Sequence, residues 1–406
     1  MNGAHSHWQR LKTLFQVFEL PSGGMPVRLA IAMAADELTS LTGFPQAALP
    51  ASGRVASGRG MTAETCAASA LGEAAELVSC CAWGDERIVT ATEAELGPSA
   101  LLPEALNGWS EAQLGDRARW NRRYGDFDWR PARRDRRKPI DWIAVENAHD
   151  GRQAHVPADF AFIGHRRDAR AVSLGDSNGC AVGLTPEAAK LAALLELVER
   201  DATGRWWYGH GPCAPVDLAS VGDEGDLLGW LTGRQRRSWL VDITTDLAIP
   251  AFAGVSAEAD GRDVVLGFAA RLDARDAALS ALTEMLQMEF SLTTARALGA
   301  EAGYWNDWRS EVSMTTPPLA AVLNLSAEPL APRNQEGQGL SAALEALARR
   351  GIDLYLADMT RPALGMPAFR AISATLCHFK PRFARARLQA IESTNGRPES
   401  QPLLVI

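Results

Sequence analysis

The stretch Ser177-Asn-Gly-Cys-Ala-Val-Gly-Leu-Thr-Pro-Glu-Ala-Ala-Lys-Leu-Ala-Ala-Leu-Leu-Glu-Leu-Val-Glu-Arg200 joins a glycine-bearing loop to a helix. Thr185 is a natural N-cap and Pro186 suits the first helical position, which predicts a helix from there to about Trp206. Leu191, Leu194, Leu195 and Val198 recur at helical spacing and form a stripe that packs on a core, while Glu196 and Glu199 share one face at its edge. Carboxylates at the margin of a core call for a cation.

Two other segments repeat the spacing of Ala193 to Glu199: Ala70-Leu-Gly-Glu-Ala-Ala-Glu76 and Ala281-Leu-Thr-Glu-Met-Leu-Gln287. Any one of these helices alone reads as a solvated surface helix with acids three residues apart. Three in one chain favour convergence of Glu73, Glu76, Glu196 and Glu199, with Glu284 and Gln287, on a single site. An oxygen-only set of this kind suits Mg2+ shared with the phosphates of a nucleotide. Strand and helix signals alternate irregularly along the chain, which predicts an α+β (mixed α/β) body whose helices deliver glutamates to a common pocket.

From Asp176 to Tyr208 the sequence closely resembles the YcaO superfamily, in particular its azoline-forming cyclodehydratase branch. Gly58-Arg-Gly-Met-Thr with Ser69 to Glu76 resembles the family's first signature, and Gly267-Phe-Ala-Ala-Arg-Leu-Asp through Gln287 its third. Val241 to Pro250, Asp358 to Pro362 and His378 to Phe383 are similar to connecting segments of that branch. The resemblance covers roughly residues 50 to 390. It implies a YcaO-like domain over 51–390, with a poorly defined N-terminal segment over 1–50 and a C-terminal tail over 391–406. The cofactors it implies are ATP and Mg2+. Glu73, Glu76, Glu196 and Glu199 would hold metal and nucleotide, Arg59, Ser69 and Arg200 would hold the nucleotide, and Glu284 matches the acid of the third signature. Glu196, Glu199 and Glu284 would be the catalytic acids, and Ser177 and Asn178 would shape the adjoining loop.

The implied reaction is ATP-dependent cyclodehydration of Cys, Ser or Thr in a ribosomally made precursor peptide. The resemblance further implies an E1-like partner protein that binds the leader, in some systems a flavin-dependent azoline dehydrogenase, and a homo-oligomer or hetero-complex. The chain departs from the pattern at Leu77 and Ser280, where arginines are expected, at Leu184, and at Ala188, an acid position for which neighbouring Glu187 is the candidate substitute in nucleotide binding. Two other readings therefore stand beside cyclodehydration: a degenerate scaffold subunit that binds peptide without turnover, and thioamide formation with a sulfur-delivery partner.

A hydrophobic content of 47% over 406 residues is ample for a substantial core, and a formal net charge of −8 gives no reason to expect nucleic acid as a partner. No apolar run reaches the length of a membrane span, and the first ten residues lack the pattern of a secretory signal, which predicts a cytoplasmic protein. The six cysteines lack the spacing of a zinc site or a disulfide framework and read as reduced thiols. Cys180 reads as a small residue under a tight loop rather than a nucleophile. No phosphate-binding P-loop, nucleophile elbow or His-Glu-x-x-His helix is present.

The one strongly basic segment, Gly115 to Lys138, interleaves arginines with Trp120, Tyr124, Phe127 and Trp129. It reads either as a contact, for nucleic acid or in preference for an acidic peptide or partner, or, more commonly for such a composition, as a solvated, ion-paired connection. Thr62 predicts a helix to about Cys80, and Asp273 one from Ala274 to Leu298 closed by Gly299. Strands are predicted at Ile140–Val145, Trp239–Asp246, Pro250–Val255, Val264–Ala270, Ile352–Asp358 and Pro367–Ser373. Leu11–Leu20 fits a short helix or a strand, Ala30–Leu41 reads as a helix of small residues, and Pro329–Gln338 as a polar connection.

Overall fold

The computed structural model describes residues 2–45, 55–166, 170–209, 211–222, 224–300, 303–333, 339–389 and 405. Thirteen strands among these residues form three antiparallel sheets. Strands β1 (Phe15–Leu20), β2 (Arg28–Ala34) and β3 (Val55–Gly60) make the first, in that order. The second runs in the order β11-β10-β9-β8, from Val265–Ala270 through Ala251–Ala257 and Arg237–Asp242 to Ala214–Val216. The third joins β4 (Val89–Ala91), β5 (Ile140–Asn147), β12 (Tyr355–Asp358), β13 (Ala368–Ile372) and β7 (Cys180–Val182), with β6 (Gln153–Pro157) also on β5.

Four helices tie these sheets together. Helix α1 (Asn2–Leu14) leads directly into β1, so the apolar Leu11–Leu20 segment is both things its sequence allows, a helix end and a strand. Helix α2 (Ala63–Ser79) starts at a capping box in which the Thr62 hydroxyl accepts from Thr65 N and Thr65 answers the Thr62 backbone. Helix α3 (Pro186–Gly209) begins where predicted, the Thr185 hydroxyl accepting from Ala188 N at 3.1 Å, and continues three residues past Trp206. Helix α4 (Ala274–Ala297) is capped by Asp273, which accepts from Asp276 N, and gives way to Gly299 at φ +63.

Helix α3 lies between the second and third sheets. Its Leu194, Val198, Trp206 and Trp207 share a core with Val241, Ala253 and Val255 of the second sheet and with Ala181 and Ala371 of the third. The far face of the second sheet carries α4: Leu240, Phe252 and Ala269 pack with Ala277, Ala281 and Met285. Strand β10 is therefore covered on both faces, and all seven of its residues are buried. The lower end of α3 is anchored by Asp201, which has no exposed surface and accepts from Arg387 Nη2 at 2.7 Å and Cys377 N at 2.9 Å.

The Ala30–Leu41 reading needs correction. Its first half is strand β2, and only Asp36–Thr39 form a single helical turn. Alanine favours helix locally, but Ala30 and Ala32 alternate with Ile31 and Met33 and are buried toward α2 between two partner strands, so sheet pairing overrides propensity. Because β2 pairs with β3, residues before position 51 supply two of the three strands of the sheet that carries Arg59. The basic segment is an ion-paired connection. Arg123 meets Asp307, Arg134 meets Glu93 and Glu104, and Arg136 meets Glu93. Inside it, Arg130 stacks 3.7 Å over Trp120, and Asp128 is buried against Arg382 at 2.6 Å. All six cysteines are free.

Helix-on-sheet contact is close because glycines line the strands. A Cβ at Gly58 would lie 2.0 Å from Ala70 N, and one at Gly267 would lie 2.1 Å from Met285 N, both on helix backbone that cannot yield cheaply. Gly267→Ala is expected to cost about 1–3 kcal/mol in equilibrium unfolding, by forcing α4 off the second sheet. Gly233→Ala, where a Cβ meets nothing within 4 Å, is the control and should change stability by about 0.5 kcal/mol or less.

Candidate active site

Helices α2, α3 and α4 meet strand β3 and the start of β7 around a cavity of about 820 Å³. Glu73 and Glu76 enter it from α2, Glu196, Glu199 and Arg200 from α3, and Glu284 from α4. Arg59 of β3, Ser69 and Thr65 of α2, Cys180, and Arg271 at the end of β11 complete the polar wall. Each carboxylate pair sits three residues apart, nearly one helical turn, so each helix presents its two acids on one face. Glu224 lies at the rim, with its side chain 45% exposed.

Arg59 fastens two of these walls to one another. Arg59 Nη2 meets Glu284 Oε2 at 2.8 Å, its Nη1 donates to Gln287 Oε1 at 2.7 Å, and its Nε to Thr283 Oγ1 at 3.3 Å. Gln287 in turn donates to Ser57 Oγ at 2.7 Å, which stitches α4 to the first sheet. Ser69 Oγ accepts from Arg59 N at 3.3 Å, so its first role is to fix the strand that carries the arginine. Arg200 Nη1 lies 3.2 Å from Glu199 and its Nη2 3.5 Å from Glu196, while its guanidinium rests 4.9 Å from the centre of the Phe379 ring.

Six carboxylates face three guanidinium groups in this cavity. The excess is written in the titration of the acids. Burial raises Glu73, with Arg59 opposing, and burial reinforced by Glu73 and Glu196 raises Glu76 well above the ordinary value. Burial pushes Glu196 up to about 8 and Glu199 to about 7, in each case against the pull of Arg200. Ionising these acids together calls for more positive charge than the arginines supply. Among the described residues no group of three or more His, Cys, Asp or Glu is arranged to hold a metal ion on its own. The glutamates are a carboxylate-rich wall and not a finished cage, a donor set that suits a hard divalent ion completing its shell with phosphate oxygens and water.

The sequence-predicted residues Arg59, Ser69, Glu73, Glu76, Glu196, Glu199, Arg200 and Glu284 all line the one cavity. Glu187 is the exception and needs correction. It is exposed in the first turn of α3, and Ala188 lines the cavity in its place, so the acid that was to substitute is turned about 100° away around the helix. Leu77 faces a neighbouring cavity instead, with Phe127, Trp129 and Lys380, and Ser280 lines the main one without charge. Ser177 and Asn178 lead into Gly179, whose φ of +77 turns the loop so that its N–H meets Glu196. Asp176, before them, is tied to Arg370, His378 and Lys380. Sequence reasoning missed Arg271, although it sits within the quoted Gly267–Asp273 motif, two residues before the cap of α4.

Carboxylates in excess on facing helices, braced by arginines, define an acidic pocket of the kind that takes a divalent cation together with an anionic ligand. The sequence model of the YcaO cyclodehydratase family, described as ATP- and Mg2+-binding, matches residues 57–377, and the chain belongs to that family. A heterocyclase solved in complex with substrate and cofactor is 28% identical, covers 95% of this chain and superimposes with a TM-score of 0.80. The heterocyclase TruD is 32% identical over 82% of the chain, with a TM-score of 0.68. This chain spans about half the length of those two proteins, 54% and 48%. The YcaO of Methanopyrus kandleri, bound with AMPPCP and Mg2+, shares the fold at 17% identity and a TM-score of 0.64, covering 99% of this chain and 96% of that one. Among the described residues no helix is long and apolar enough to cross a membrane.

The raised carboxylates set a sign for the pH dependence of the free protein. Glu196 has an ordinary value of 4.5 when unfolded and about 8 when folded, so the folded state keeps a proton that the unfolded chain releases. The contribution of Glu196 to the stability of the nucleotide-free protein should therefore be fully present below pH 4.5 and be lost as pH rises through about 8. Thermal midpoints across that range should fall for the wild type and fall less steeply in E196Q, where Glu73, Glu76 and Glu199 keep the remaining slope. An identical slope in both would show that Glu196 does not carry the shift.

Proposed function

We propose that the protein is an ATP- and Mg2+-dependent cyclodehydratase that converts Cys, Ser or Thr of a ribosomally made precursor peptide into an azoline. The observation that carries this reading is the meeting of Glu73, Glu76, Glu196 and Glu199 in one cavity wall, where burial raises the pKa of all four. Those four would hold Mg2+, and Arg59, Ser69, Arg200 and Glu284 would hold and orient the nucleotide. Mg2+ and ATP together supply charge neutralisation and a transferable phosphoryl group.

The chemistry asks for no nucleophile from the enzyme. The side chain of the substrate residue attacks the preceding backbone carbonyl carbon. The former carbonyl oxygen, a poor leaving group as hydroxide, departs as inorganic phosphate after phosphorylation, and the nitrogen loses its proton as the ring C=N bond forms. One ATP is converted to ADP and phosphate, and the peptide loses one water. The work of this chain is to hold the reacting amide against the nucleotide and keep water out, which a cavity walled by α2, α3 and α4 serves. Cys180 is fully buried, in keeping with a packing role.

The partners proposed are the precursor peptide and a separate E1-like protein that binds its leader, in a hetero-complex or homo-oligomer, with a flavin-dependent azoline dehydrogenase acting on the product. Purified protein, precursor and leader-binding partner should hydrolyse ATP only when peptide is present, and the peptide should lose the mass of one water per turnover. E196Q should lower turnover about 100-fold or more while remaining folded. Retained peptide binding without turnover would replace this reading with a scaffold subunit. A mass gain matching oxygen-to-sulfur exchange, seen when a sulfur-delivery protein is supplied, would replace it with thioamide formation.

A further inference from the structure

Nucleotide phosphates carry several negative charges into a wall already rich in carboxylates, so cations not engaged by the protein decide where they settle. Two of the three guanidinium groups in the wall are engaged. Arg59 is spent on Glu284, Gln287 and Thr283, and Arg200 on Glu196 and Glu199. The donors of Arg59 tie strand β3 to helix α4, while Arg200 pairs with two acids of its own helix α3.

Arg271 is different. Among the described residues its side chain makes one hydrogen bond, from Nη1 to the carbonyl of Ala270 at 2.8 Å, and no ion pair with a carboxylate. It is partly buried and lines the cavity together with Leu279, Ser280 and Thr283 of α4. It lies near enough to Glu199 to favour that residue's ionised form. The backbone beneath it is fixed on both sides: Arg271 N donates to Pro250 O at 3.1 Å, and Asp273 caps α4 two residues on. A pinned backbone with a guanidinium whose remaining N–H groups face a cavity is a preorganised oxyanion fork, and its planar donors match phosphoryl oxygens in pairs.

We propose that Arg271 supplies the open phosphate-binding fork of this cavity, its unspent N–H groups taking oxygens of the nucleotide's phosphate chain beside Arg59 and Arg200, whose donors are already shared with protein acids. This inference rests on the nucleotide reading of the site. It gives Arg271 a share of the nucleotide site that the protein contacts of Arg59 and Arg200 leave open.

Displacement of a fluorescent nucleotide, with Mg2+ present, gives the affinities of a non-hydrolysable ATP analogue and of adenosine for the wild type, R271A and R271K. R271A should bind the analogue about tenfold or more weakly while binding adenosine within about twofold of the wild type. R271K, which keeps the charge and loses the fork, should fall between the two, and it carries the same test if R271A does not fold. Equal affinity of wild type and variants for the analogue would overturn the assignment, as would equal losses for analogue and adenosine, which would mark a purely structural residue. If the wild type itself binds no nucleotide, the functional reading of the site falls and takes this inference with it. If the wild type binds and R271A binds equally well, only the role of Arg271 falls.

Discussion

Two glutamates of one helix lean on a single guanidinium at the centre of this molecule. Glu196 and Glu199 share Arg200, and Arg200 rests on the Phe379 ring from the C-terminal part of the chain. One positive charge cannot satisfy two buried carboxylates together with Glu73 and Glu76 opposite, so the apo site is electrostatically unfinished. That imbalance is tolerable because α3 has no freedom to relieve it. Trp206, Trp207 and Val198 are fully packed between two sheets, and Asp201 is locked to Arg387. The stability of the surrounding core holds a cluster of acids that would separate if their helices could move.

The glycines of β3 and β11 serve the same end. They let α2 and α4 approach the strands so closely that the acids projecting from those helices line one cavity of about 820 Å³. Arg59 then spans the gap between β3 and α4 with three of its nitrogens. Charge and packing are therefore not separate layers of this structure. The close helix–strand contacts create the crowding, and the arginine bridges limit its cost.

Much of this was legible in the sequence because it is local. Thr62, Thr185 and Asp273 each cap the helix their position promised, and the repeated Ala-Leu-x-Glu spacing sets paired acids on one helix face whatever the tertiary context. What was illegible depends on which strand lies alongside. Ala30 and Ala32 favour helix in isolation, and only the neighbours β1 and β3 turn them into sheet. Glu187 was one residue from the required position, a difference that matters only once the helix has a defined inner face. Arg271 lay in a recognised motif, yet its open donors become visible only when the partners of Arg59 and Arg200 are known. The basic run followed the commoner fate of such segments, because acids distant in sequence, among them Glu93 and Asp307, neutralise it.

The Arg59–Glu284 contact joins residues 225 positions apart, and the second sheet and α4 are made only from the later half of the chain. A nascent polypeptide emerging from the ribosome would carry both acids of α2 long before the helix that completes their enclosure exists. Until then those carboxylates stay hydrated and harmless, and the desolvation that makes them useful arrives only with the final third of translation. A prematurely terminated product lacking α4 would therefore have the acids without their enclosure.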